Sequence, residues 1–186
     1  VGRHDEAGVT DLERREELAV ESTIRVLNEM VTDGVIESYA VGGAMAAVFY
    51  VEPVATFDLD VFLLLPAGEG DRPIVTLERQ NAWLAARGYR SAGEHVLVEG
   101  IPVQLLPAWN PLVTEAVHAA VEKPLGGAIV RVCRPEHLMA ILVQTGRAKD
   151  RARLQMFLEE AQFDRSALEE LIDRFALRER WMEWTR

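Results

Sequence analysis

Cysteine is nearly absent. Cys133 stands alone in 186 residues, so no intrachain disulfide can form and a disulfide-stapled scaffold is excluded. Long apolar runs are missing too. The longest, Ala44–Val51 and Val61–Ala67, fall well short of the roughly 20 residues a membrane-spanning helix needs. Basic residues do not dominate: 20 Lys and Arg face 30 Asp and Glu, for a net charge of −10. That balance argues against non-specific nucleic-acid binding through a broad basic face, though not against a local basic groove. The opening Val-Gly-Arg-His-Asp-Glu is polar, unlike a secretory leader. With one thiol, it sets the expectation of a cytoplasmic, non-membrane protein. Four histidines, His4, His95, His118 and His137, lie far apart without Cys or carboxylate ligand spacing, which argues against zinc. No Gly-x-Ser-x-Gly elbow is present, which argues against a serine hydrolase.

What is present is a soluble, globular composition with 49% hydrophobic and 27% charged residues, enough to bury a core unaided. Thr10-Asp-Leu-Glu13 has capping-box spacing before a helix over about 11–33, and Gly34 fits its stop. Tyr39–Val41 reads as a short strand ending at Gly42-Gly43. Ala44–Tyr50 reads as a buried helix, Asp58–Leu65 as a strand and Thr76–Arg87 as a surface helix. The segments 94–99 and 101–106 read as two strands joined by a tight turn at Gly100 with Glu99. Pro111 opens a helix over about 112–121, and Ile129–Cys133 is β-branched. From Pro135 the pattern turns helical, with segments 135–145, 149–162, 166–175 and 177–185. The third of these begins with the capping-box spacing of Ser166-Ala-Leu-Glu169. A mixed region followed by helices predicts an α+β core with a helical tail. The expected division is 1–134 for the core with its N-terminal helix, and 135–186 for a helical part packed on it.

The chemistry concentrates in Val41–Val61. Gly42-Gly43 joins a strand to a helix start, where glycine lets backbone approach a phosphate and unpaired N–H groups face it. Asp58 and Asp60, two apart on a strand, point to one face. Two such carboxylates make a hard-oxygen site suited to Mg²⁺ with triphosphate oxygens completing its shell. Either feature alone reads as a turn or a charged strand edge; their succession is the informative signal. Arg147, Lys149, Arg151 and Arg153 form the densest basic cluster, either a solvated helix face, the commoner case, or a phosphate-facing or tRNA-facing rim. His137 reads as a surface histidine, Cys133 as packing, and Trp181 with Trp184 as a shared helix face for docking or dimer contacts.

The segment resembles the polymerase-β-like nucleotidyltransferase fold, a mixed sheet flanked by helices. The chain from Tyr39 to Phe175 is similar to AbiEii-type nucleotidyltransferases of abortive-infection toxin–antitoxin systems. The matching residues are Gly42, Gly43, Thr56, Asp58 and Asp60, together with Pro135–Ala140 and Gly146-Arg-Ala-Lys-Asp150. The resemblance implies that Gly42, Gly43 and Thr56 bind the nucleotide, with Lys149 and Asp150 near the cleft. It implies that Asp58 and Asp60 hold Mg²⁺ and act catalytically. An NTP would be substrate, RNA a candidate acceptor, and a cognate antitoxin a candidate partner. The sequence also departs from the family. Val54 stands where an arginine is common, and Leu142 where a lysine is. Gln104 takes the place of a third carboxylate; it can accept a hydrogen bond but carries no charge and takes no proton. Two readings stay open: an Mg²⁺-dependent enzyme moving a nucleotidyl group to an acceptor hydroxyl, and a catalytically weakened nucleotide-binding or protein-interaction module of the same fold. Oligomeric state is not legible.

Overall fold

A computed structural model describes residues 11–51, 58–68 and 75–186. The elements run α1 (Asp11–Thr32), β1 (Ser38–Val41), α2 (Gly43–Ala47), β2 (Leu59–Leu64), α3 (Glu78–Ala86), β3 (Arg90–Ala92), β4 (His95–Val98), β5 (Ile101–Pro107), α4 (Pro111–His118), β6 (Val121–Leu125), β7 (Ala128–Val132), α5 (Pro135–Thr145), α6 (Ala148–Glu160), α7 (Arg165–Arg174) and α8 (Arg178–Trp184). This is an α+β architecture, a mixed sheet flanked by helices with a helical C-terminal part. Among the described residues no helix is long and apolar enough to cross a membrane.

The seven strands form one mixed sheet in the order β3-β4-β5-β2-β1-β7-β6. β1 runs antiparallel to β2 and parallel to β7, while β2 runs parallel to β5. Side-chain alternation gives the sheet two different faces. Leu59, Val61 and Leu63 of β2 and Val103 and Leu105 of β5 are buried on one face. α1 covers that side of the sheet: Thr23 donates a buried hydrogen bond to the Val98 carbonyl, and Tyr39 donates to Asn28 Oδ1. The alternate residues, Asp60 and Phe62 with Pro102, Gln104 and Leu106, turn to the other face and line a cavity. α4 packs on β1 and β2, and α5 packs on α2, α4, α6 and α7. α5 is buried from Pro135 to Val143, Glu136 and His137 included.

Several boundaries differ from the sequence reading. The helix after Gly42-Gly43 spans only five residues, burying Ala46 and Ala47 while Val48 is exposed. The helix opened by Pro111 ends at His118; Asn110 caps it by accepting from the Val113 N–H. Val121–Leu125 is instead an antiparallel partner of β7. α7 is capped by Asp164, which accepts from the Ser166 and Ala167 N–H groups, not by Ser166. The turn between β4 and β5 is as read, with Glu99 and Gly100 both at positive φ. Trp181 and Trp184 are buried within the chain, so the docking they perform is intramolecular. Cys133 is fully buried, and burial pushes its thiol up to about 12; it is packing. Thr10 lies outside the described residues.

Candidate active site

Asp60 sits in a row of residues that runs from Gly42, just past the end of β1, across β2 and β5 to β4. On one side the Gly42 N–H donates to the Asp60 carbonyl at 2.9 Å. On the other, Asp60 is the register partner of Gln104 in the parallel β2–β5 pair. One step beyond the Val96–Val103 pair, the antiparallel β4–β5 register sets His95 opposite Gln104. Asp60, Gln104 and His95 all line one cavity of about 890 Å³, with Asp58 at the start of β2.

Glycine is required at two points here. A β-carbon on Gly43 would lie 2.8 Å from Asp60 Cγ, and Gly43 has φ +57. A β-carbon on Gly42 would lie 2.8 Å from Phe62 Cζ. The pair therefore brings bare backbone against the carboxylate and the neighbouring ring. Gly43 and Ala44 line the cavity.

The facing wall comes from α5 and α6. Gly146 ends α5 at φ +76, a left-handed cap that favours glycine. The chain then re-enters a helix with Arg147, Lys149 and Arg153 on the cavity. Asp150 is fully buried beside them. Its carboxylate accepts from the Arg147 backbone N–H at 3.2 Å and from Arg147 Nε at 2.9 Å. Asp150 thus fixes the start of α6 and holds one cation of the cluster. Arg151 is exposed and stands outside the cavity lining.

The electrostatics separate the two walls. Burial raises the Asp60 carboxyl above its ordinary range, and the charge of Asp58 adds to that. Lys149, Arg147 and Arg153 oppose the shift from across the cavity. Two carboxylates on the sheet and three cations on the helix therefore share one space. The rest of the lining is apolar: Phe62 and Leu106 from the sheet, Leu138, Ile141 and Leu142 from α5, and Trp109. Trp109 is 56% exposed and meets Phe62 edge-to-face, ring centroids 5.5 Å apart.

The structure thus brings Gly43, Asp58, Asp60, Gln104, Lys149 and Asp150 to one cavity, with Gly42 bonded behind Asp60. Thr56 and Val54 lie outside the described residues. Sequence reasoning passed over His95, whose signal was a hairpin register that only strand pairing makes visible. It also passed over Trp109, one residue before the Asn110 cap. His137 differs from expectation: it is 6% exposed, with Nε2 3.3 Å from Glu115 Oε1 and Nδ1 unpartnered. Burial lowers its pKa.

Among the described residues, no three Asp, Glu, His or Cys side chains converge as a metal cluster. The oxygen donors beside one another are Asp58, Asp60 and the Gln104 amide. A hard divalent cation suits that donor set, and it would relieve the mutual repulsion that Asp58 imposes on Asp60.

No protein-family model matches the chain, and no curated protein matches it. Solved structures do. An antigenic nucleotidyltransferase-like protein from Paracoccidioides brasiliensis superposes with a TM-score of 0.54 at 15% identity, covering 77% of this chain and 74% of its own. Antibiotic-resistance factor ANT(2'')-Ia, known from a solution structure, superposes with a TM-score of 0.52 at 14% identity, covering 94% of this chain and 97% of its own. At these identities the likeness is one of fold, and the fold is nucleotidyltransferase-like.

Proposed function

We propose that this chain transfers a nucleotidyl group from an NTP to an acceptor hydroxyl, with RNA a candidate acceptor. The observation that carries this reading is the pairing of walls in one cavity: Asp58 and Asp60 on the sheet against Arg147, Lys149 and Arg153 on α6. A triphosphate is strongly anionic. The α6 cations can hold its oxygens by charge-assisted hydrogen bonds, and Asp150 keeps Arg147 in place for that contact. The two aspartates would repel the same phosphates unless a cation stood between them. Asp58 and Asp60 would hold Mg²⁺, which supplies charge neutralisation at the reacting phosphate when bound. Gly43, bare against Asp60, lets the carboxylate lie directly on the backbone at the start of α2. The remaining work of the protein is positioning, the main source of rate in such transfers.

The fold likeness to a nucleotidyltransferase-like protein supports the reaction class. The Gly146-Arg-Ala-Lys-Asp150 segment, seated on the cavity, supports the narrower AbiEii-type assignment, with its toxin–antitoxin context, a cognate antitoxin partner and a cytoplasmic setting. The test is release of pyrophosphate from α-labelled NTP with Mg²⁺, with label appearing in added RNA. Asp58→Asn with Asp60→Asn should abolish both. Equal release by the double variant would overturn the reading.

A further inference from the structure

We infer that the imidazole of His95 takes the proton from the acceptor hydroxyl, an inference that rests on the transfer reading above. In-line transfer needs a group to receive that proton. The titratable side chains among the described residues lining the cavity are Asp58, Asp60, Asp150, Arg147, Lys149, Arg153 and His95. Asp58 and Asp60 are assigned to the cation. Asp150 is fully buried against Arg147. Arg147, Lys149 and Arg153 are assigned to the phosphate oxygens. Gln104, beside Asp60, has no basic atom. His95 is the group left, on the same face of the same row.

The geometry fits a hydroxyl approaching from the β4 side. Adjacent strands lie roughly 4.8 Å apart, so the backbone of His95 stands about 10 Å from that of Asp60, with Gln104 midway. That gap admits a reacting hydroxyl and the α-phosphate it attacks. Gln104 Nε2 donates to Glu94 Oε2 at 3.4 Å, which leaves Gln104 Oε1 as an acceptor to steer the incoming hydroxyl. Glu94 itself is exposed, in the β3–β4 turn, and does not line the cavity. In the step, the hydroxyl oxygen forms a bond to the α-phosphorus as its proton passes to a ring nitrogen of His95. The bond from the α-phosphorus to the bridging oxygen breaks, and pyrophosphate leaves with that electron pair. The imidazolium then returns its proton to water.

The experiment compares single-turnover transfer and NTP–Mg²⁺ binding in the wild type and in His95→Gln, His95→Ala and Glu94→Gln. A general base is worth about 10²–10⁴-fold. His95→Gln should lose at least about 100-fold in transfer while binding NTP with Mg²⁺ as the wild type does. Added imidazole should restore part of the rate to His95→Ala, since the cavity is wide enough to admit it, and Glu94→Gln, which keeps an oxygen to accept from Gln104 Nε2, should lose far less than His95→Gln. Three results would overturn the assignment: transfer retained in His95→Gln, loss in His95→Ala without imidazole rescue, or loss in Glu94→Gln matching that in His95→Gln. A wild type that binds NTP with Mg²⁺ but releases no pyrophosphate would also overturn it while leaving the nucleotide site standing. A wild type that neither binds nor transfers would remove the proposed function itself.

Discussion

Gly43 and Asp60 compete for the same space: a β-carbon on the glycine would lie 2.8 Å from the aspartate Cγ. The two positions are therefore coupled. Gly43→Ala adds a strained positive φ, costing about 1 kcal/mol, and also displaces the Asp60 side chain. In an Asp60→Gly background only the backbone cost remains. Urea unfolding of the four proteins in the cycle should show a coupling of about 1 kcal/mol or more; strict additivity would mean that the carboxylate does not abut Gly43.

The α6 cations should separate by their place on the cavity. Arg147→Ala, Lys149→Ala and Arg153→Ala each remove a charge-assisted contact of about 1.5–3 kcal/mol, so each should weaken NTP–Mg²⁺ binding by about 10-fold or more. Arg151→Ala, on the exposed side, should leave it unchanged. Titration calorimetry on the four variants checks both halves.

Gln104→Asp would set a third negative charge beside Asp60 and near Glu94. Without divalent cation its Tm should fall below that of the wild type, because like charges repel on a partly buried face. With Mg²⁺ the Tm increment should exceed that of the wild type. Thermal unfolding with and without Mg²⁺ measures this, and equal increments would remove Gln104 from the cation's neighbourhood.

His137 gives the fold a pH dependence away from the cavity. Burial lowers its pKa, against the upward pull of Glu115. Its folded pKa lies below the unfolded value of about 6.5, so the unfolded chain binds the extra proton first. This contribution is present above pH about 6.5 and is lost as pH falls through the depressed folded value. Urea midpoints followed from pH 7.5 to 5.5 should decline in the wild type and flatten in His137→Gln.

Much of the fold was legible because its signals are local. Gly34 and Gly146 mark helix stops, Pro111 a helix start, and Glu99-Gly100 a hairpin. Asp58 and Asp60 share a face by strand period alone. β6 was not legible: Val121-Glu-Lys-Pro-Leu125 alternates weakly and contains a proline, which only an edge strand tolerates. β3 is three exposed residues with no apolar pattern. Ser166 resembled a cap by spacing, but Asp164 lies two residues earlier and takes the Ser166 and Ala167 amide donors, which starts the helix before Ser166. His137 looked superficial because its burial comes from α4 and α7 packing on α5, contacts remote in sequence. The row from Gly42 through Asp60 and Gln104 to His95 needs the strand order, which no local pattern encodes.

The most direct test of the central claim, that Asp58 and Asp60 hold a cation for a nucleotide on this cavity, is the Tm shift caused by NTP with Mg²⁺. Ligand at about 100 times its Kd stabilises the folded state by about 2.7 kcal/mol. For a chain of this size that corresponds to a rise of about 5–10 °C. That rise is expected in the wild type, and its loss in Asp58→Asn with Asp60→Asn. No rise at saturating NTP with Mg²⁺, or the same rise in the double variant, would contradict it.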